Sequence, residues 1–388
     1  MPKKFFCIFV AGKIKLCLIK QLKMNKEELY GEIVKMVPVE ADEKKGFRQV
    51  VKEKLKDYRF LLDQLDPAEC SAQWMTTKAR IVQLCDGINR AIENEAKGIR
   101  HSAYTAIKNQ MDGYKNQQVK IEKLTFDENI YVVKKDMKSF RMRKVALEEQ
   151  RKLKSKDMFH IPLDKRGLVE TQRYSAPGYP CLYLASSVYG CWEEMGRPDF
   201  GTVMVSKFVS QMDFKVLDLR IPSKASWNAN MEKCVLFFPL VIASMVQVKN
   251  NKDTYKPEYL IPQLLTEWVI SYNVGKKQEE EILGIMYTSA QKNDDFNYPD
   301  SSCDNYAIPV LKPLGNKKYC DRLKTIFKLS APTYYDLEVL KNGEIEKALF
   351  WEEEESDEEK QKIENMRTSH FGLMESFLDD KKLETVEE

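Results

Sequence analysis

The sequence predicts an α+β protein: a small all-α domain over residues 24–125, then a strand-and-helix domain over 126–345. Three observations lead there. Between residues 25 and 120, apolar residues recur at spacings of three and four, the period of an amphipathic helix. Beyond residue 125, short apolar runs are separated by turn residues, which marks strands. The 388 residues are 43% hydrophobic and 11% aromatic, enough to bury a core and too apolar for wholesale disorder.

Residues 1–23 hold six lysines and no acid. Their apolar runs, such as Phe5–Ala11, are too short and interrupted to span a bilayer. We read them as an irregular basic extension. Met24-Asn-Lys-Glu-Glu then opens an ordinary helix. The stretch Phe47 to Leu62 carries the helical spacing, and Asp66-Pro67 breaks it. Residues 74–95 and 99–118 read as two further helices. An Arg-spacer-His nuclease pattern is absent, because neither Arg90 nor Arg100 stands at a fitting distance from His101.

In the second part, Ile130-Tyr-Val-Val reads as a strand. Pro177-Gly-Tyr-Pro180 is a strong turn, and Cys181-Leu-Tyr-Leu-Ala follows it as a strand. Ser186-Ser187 can cap the next helix, which carries Trp192, Glu193 and Glu194. Val203–Phe208, Lys215–Leu219 and Ile282–Tyr287 are further strands. Residues 231–248 and 258–272 read as helices; Pro262 sits near the start of the second, where proline is tolerated. Residues 306–312 and 324–331 are late strands.

Charge is nearly balanced overall, 62 basic against 59 acidic side chains. It is unevenly placed. Residues 351–388 carry 14 acidic and 5 basic side chains, and the rest of the chain has a net charge of +12. The region 346–388 therefore reads as an acidic, solvated tail. The small total charge, with no matching motif, argues against a nucleic-acid partner. Nine scattered cysteines include no C-x-x-C pair, which gives zinc ribbons no support and suggests reduced thiols in the cytoplasm. Three histidines leave little for a metal centre. His160, in Phe159-His-Ile-Pro162, reads as a buried structural residue.

No dinucleotide-binding G-x-G-x-x-G, P-loop, nucleophile elbow or H-E-x-x-H motif occurs. Three smaller pieces carry chemistry instead. Arg173-Tyr174-Ser175, Tyr183 and Glu194 come from one turn–strand–helix unit and can converge on a cleft. Arg141 and Arg143 offer two guanidinium groups that suit phosphate. Tyr287-Thr288-Ser289 ends a strand, where functional side chains often emerge.

The stretch from Arg173 through Leu182-Tyr-Leu-Ala185 to Glu194 resembles the core of the RES domain family, including its eleven-residue step from Tyr183 to Glu194. Tyr259–Trp268, Gly284–Ser289 and Asp304-Asn-Tyr-Ala-Ile follow in the family's order. The resemblance implies an ADP-ribosyltransferase-like fold preceded by a helical domain. It implies NAD as a substrate, with no metal. Members include toxins of toxin–antitoxin pairs, so an antitoxin or inhibitor partner is expected; homo-oligomerisation stays open, and no membrane or nucleic-acid role is expected.

Carried over residue by residue, Arg141 matches the early arginine, with Arg143 as a competitor. Arg173 matches the arginine before the turn, and Tyr183, Glu194 and Ser289 match directly. Glu193 is the alternative to Glu194. The resemblance implies that Arg141 and Arg173 bind the pyrophosphate. Tyr183 and Ser289 orient the nicotinamide riboside. Glu194 stabilises the oxocarbenium charge that develops as the nicotinamide–ribose bond breaks. The expected activity is NAD cleavage by phosphorolysis, hydrolysis or ADP-ribosyl transfer. The alternative is a non-enzymatic interaction protein on a degenerate RES fold.

Overall fold

The computed structural model describes residues 23–42, 44–115, 120–121, 129–150, 152–291, 298–310, 317–334 and 357–387. The basic extension, apart from Lys23, lies outside the described residues, as do the boundaries expected at 125 and 345. The protein is α+β, a helical region followed by a mixed sheet with helices. The helical region holds α1 (Lys26–Val34), α2 (Phe47–Leu62), α3 (Trp74–Ala96) and α4 (Arg100–Asp112). Asn25 starts α1 with a reciprocal cap: its side chain accepts from the Glu28 amide at 2.9 Å, and Glu28 accepts from the Asn25 amide at 3.0 Å.

A two-residue pair follows, β1 (Tyr114–Lys115) with β2 (Lys120–Ile121). Then come β3 (Ile130–Val133), β4 (Lys138–Lys144), α5 (Leu147–Gln150), β5 (Cys181–Ala185), α6 (Val188–Glu194), β6 (Val203–Ser210) and β7 (Phe214–Leu219). After these lie α7 (Lys224–Ala229), α8 (Met231–Ser244), α9 (Leu260–Tyr272), β8 (Ile282–Thr288) and β9 (Asp304–Pro309). The last described elements are α10 (Asp321–Ile326), β10 (Phe327–Ser330), β11 (Thr333–Tyr334), α12 (Asp357–Thr368), α13 (His370–Asp379) and β12 (Leu383–Glu384). Pro262 is the third residue of α9, where its missing amide has no helical partner to lose.

Among the described residues one large sheet runs β12-β10-β6-β4-β5-β9-β8-β7-β3, with β11 also against β6. Its pairings are antiparallel except β7 with β8. β4, a central strand, was read from sequence as an arginine pair with no strand assigned. It has only two apolar side chains, Phe140 and Met142, both turned to the face packed by α6.

The helical region does not stand apart. Leu55, Tyr58, Ile88 and Ile107 share one continuous core with Val235, Leu264, Ile285 and Tyr287. Polar contacts cross the same join. The Tyr58 hydroxyl donates to the Val235 carbonyl at 2.6 Å, and the Trp268 indole donates to Asp112 at 2.9 Å. α8 and α9 are thus a middle layer between the sheet and the first four helices.

The acidic end also differs from expectation. Within residues 357–387, α13 is packed on the fold rather than lying in a solvated tail. Phe371, Met374 and Leu378 of α13 are fully buried against Val188, Tyr189 and Cys191 of α6. Asp379 pairs with Lys138 at 2.7 Å and Lys207 at 3.3 Å, and β12 extends the sheet beside β10. Apolar residues at helical spacing outweigh the average charge of the segment.

Candidate active site

α6 is anchored at its start. The Ser187 side chain accepts from the Gly190 amide at 2.8 Å and donates to the Ser302 carbonyl at 2.5 Å. Ser186 donates to the Ser301 carbonyl at 2.6 Å. Gly190 is required by this approach, since a Cβ there would sit 2.5 Å from the Ser302 carbonyl oxygen. The helix ends at Glu194, and the two adjacent glutamates part there. Glu193 is buried and pairs with Arg197, one turn on, at 2.9 Å. Glu194 turns to β8, where one oxygen accepts from the Tyr287 hydroxyl at 3.3 Å and the other from the Ser289 hydroxyl.

Tyr287 and Ser289 are two residues apart at the end of β8 and so share a face. Ser289 is fully buried, and its backbone amide reaches the Cys303 carbonyl at 3.1 Å. Its hydroxyl also accepts from the Gln291 amide at 3.1 Å, which leaves its proton for Glu194. Burial and the neighbouring Glu194 charge hold the Tyr287 phenol well above its ordinary range, so it stays a donor. The Tyr174 and Tyr287 rings lie 4.4 Å apart, tilted by 38°.

Tyr183 is near but differently engaged. Its hydroxyl accepts from the Tyr174 amide at 3.2 Å and shares a 2.9 Å hydrogen bond with Ser175. Arg173 is buried; one nitrogen donates to the Ser244 and Val246 carbonyls at 2.8 and 2.9 Å, at and just past the end of α8. Its guanidinium lies 5.1 Å over the Tyr259 ring. Gln263 of α9 completes the loop, donating to Thr171, Gln172 and Ser175 at 3.1 Å each. These contacts fix the 171–175 loop beside the Glu194 cluster. Sequence reasoning quoted Gln263 inside a matching stretch and gave it no role. Tyr287 was quoted too, without its contact to Glu194; its two-residue step from Ser289 was the available signal.

Arg141 is not brought into that cluster. β4 alternates, and Arg141 pairs in register with Ser206, on the face opposite Phe140, Tyr183 and Tyr287. Its Nη1 and the Ser206 hydroxyl are both buried without a hydrogen-bond partner. Burial, reinforced by the Arg143 charge, pulls Arg141 down to about 10. Arg143 is exposed and donates to the Asp157 carbonyl.

His160 is structural. Its Nε2 accepts from the Cys320 amide at 2.9 Å and its Nδ1 faces the Ile161 carbonyl at 2.8 Å, which sets the neutral Nδ1–H tautomer. Among the described residues, no group of three or more His, Cys, Asp or Glu is placed to hold a metal ion, and no helix is long and apolar enough to cross a membrane.

Comparison with known proteins finds a family over the same residues. Residues 150–305 match the model of the RES domain. The match includes Arg173, Tyr183, Glu194 and Ser289 and leaves Arg141 outside. A Bacillus subtilis (strain 168) protein named "Putative toxin YopC" is 35% identical over 272 residues, 66% of this chain. The chain spans 59% of that relative's length. The shared stretch is longer than the RES match, so the likeness extends into the flanking regions. No solved structure matches the chain. With the family's order of residues carried on β5, α6 and β8, and Glu194 meeting Ser289, residues 150–305 are a RES domain.

Proposed function

We propose that this protein consumes NAD by breaking the nicotinamide–ribose bond, with Glu194 as the carboxylate that stabilises the oxocarbenium charge. One observation carries the reading: Glu194 is held between two hydroxyl donors, Tyr287 and Ser289. Donors on both oxygens fix the carboxylate's direction before charge develops, which is how preorganised electrostatics lower a barrier. In the reaction the C–N bond breaks and its electron pair leaves with neutral nicotinamide. Water, phosphate or a protein side chain then bonds to the ribose carbon.

Arg141 takes no part in this reading, because β4 carries it on the sheet face opposite Tyr287, the partner of Glu194. Arg173 and Tyr183 act as positioning residues, since their hydrogen bonds go to the loop and helix end beside Glu194. Arg173→Ala should lower stability and kcat together. The relative's name supports a toxin role. An antitoxin or inhibitor protein is the partner that goes with it, and the cytoplasm is where NAD would be met.

One observation favours a non-enzymatic interaction role: the Tyr183 hydroxyl and an Arg173 nitrogen are spent on the fold. NAD turnover by purified protein, with and without phosphate, separates the two. Loss of NAD in the wild type and none in Glu194→Gln supports the enzyme. No turnover by the wild type in either buffer, with no ADP-ribose on any protein in a lysate, overturns it.

A further inference from the structure

The seven residues of α6 carry Glu194 at one end, and the other end is held by the C-terminal segment. Ser187 covers the Gly190 amide, which leaves the first helical amide, Val188, needing another acceptor. Glu375 of α13 supplies it, at 2.7 Å, from 187 residues further along the chain. α13 is held in turn. Asp379, one turn beyond Glu375, binds Lys138 of β4 and the buried Lys207 of β6, and Lys207 also donates to the Asp379 carbonyl at 3.0 Å. Glu384 of β12 accepts from Ser155 at 2.7 Å. α6 is therefore gripped along its length by Phe371, Met374 and Leu378, and at its start by Glu375.

We propose that residues 357–387 are an intramolecular clamp on α6, with Glu375 as the positioning residue that sets how Glu194 meets Tyr287 and Ser289. A short helix has few contacts of its own, and a shift of about 1 Å at its far end is enough to misplace a catalytic group. Burial pushes the Glu375 carboxyl up to about 8. Either protonation form keeps an oxygen to accept from Val188, so glutamine is a fair mimic. The consequence is control of the site from the chain's far end: anything that lifts α13 off α6 loosens Glu194.

The link to turnover rests on the NAD-consuming reading; the grip on α6 does not. The test compares wild type, Glu375→Gln, Glu375→Leu and Asp379→Asn as full chains, by amide hydrogen exchange across α6 and by NAD turnover. In Glu375→Leu, exchange over Val188–Glu194 should accelerate roughly tenfold or more. Its kcat should fall about tenfold to a hundredfold, with KM for NAD within about threefold. Glu375→Gln should behave as wild type in both, and Asp379→Asn should loosen α6 if the leucine variant does not fold. Unchanged α6 protection in the leucine and asparagine variants overturns the clamp. So does a glutamine variant as impaired as the leucine one. Absence of turnover in the wild type sinks the NAD reading instead, while the exchange data still decide the clamp.

Discussion

Replacing Tyr58 by phenylalanine removes one oxygen and tests whether the helical layer and the sheet are one cooperative unit. Tyr58 is fully buried in α2, and its hydroxyl donates to the Val235 carbonyl in α8 at 2.6 Å. The ring also packs on Phe238, 5.5 Å between centroids, and that contact survives the substitution. The loss is therefore the hydrogen bond, net about 0.5–1.5 kcal/mol, together with the cost of a stranded carbonyl, giving roughly 1–3 kcal/mol in all. Urea unfolding followed by far-UV circular dichroism and by tryptophan fluorescence gives the answer. Trp74 is in α3, Trp192 in α6 and Trp268 in α9, so the fluorescence samples both sides of the join. One transition, coincident by both probes and moved whole by Tyr58→Phe, is the expected result. Two transitions, with only the earlier one moved, would show that the helices unfold alone and refute a shared core.

Two further outcomes follow from the site and from the buried histidine. Ser289→Ala deletes one of the two donors to Glu194 and should lower kcat for NAD roughly tenfold to a hundredfold, at a stability cost of about 1–3 kcal/mol for the lost buried hydrogen bonds; unchanged kcat in an NAD-consuming wild type would remove Ser289 from the mechanism. Burial depresses His160 to about 4 in the folded protein, below its ordinary 6.5. Its stabilising contribution is thus present above pH 6.5 and lost as pH falls towards 4, about 3 kcal/mol over that window. Wild type minus His160→Gln stability, measured against pH, should show that loss; parallel curves would contradict it.

The elements legible in the sequence were those whose own residues announce them. Cys181–Ala185 follows a Pro-Gly turn, and Ile282–Tyr287 is an unbroken apolar run, so both read as strands. β4 did not, because Lys-Ser-Phe-Arg-Met-Arg-Lys shows one apolar face and places a half-buried arginine on the other. The C-terminal helix was masked by averaging: fourteen acids over the last 38 residues hide Phe371, Met374 and Leu378 on one stripe. At the site, the family resemblance singled out Glu194 and Ser289 but could not join them. Their hydrogen bond spans 95 residues, and only the pairing of β5, β9 and β8 closes that gap. Glu193 against Glu194 was decidable earlier than it looked, since Arg197 stands one helical turn after Glu193. Arg173 was the opposite case. A forked cation before a turn suggests a phosphate, and nothing local reveals that its acceptors are carbonyls 71 and 73 residues away.

The most direct test of the central claim is NAD consumption by the full chain, wild type beside Glu194→Gln, with nicotinamide release as the readout. The account predicts nicotinamide release by the wild type and its loss, by at least about a hundredfold, in the glutamine variant, with both proteins folded alike. Equal release by the two would contradict the assignment of Glu194.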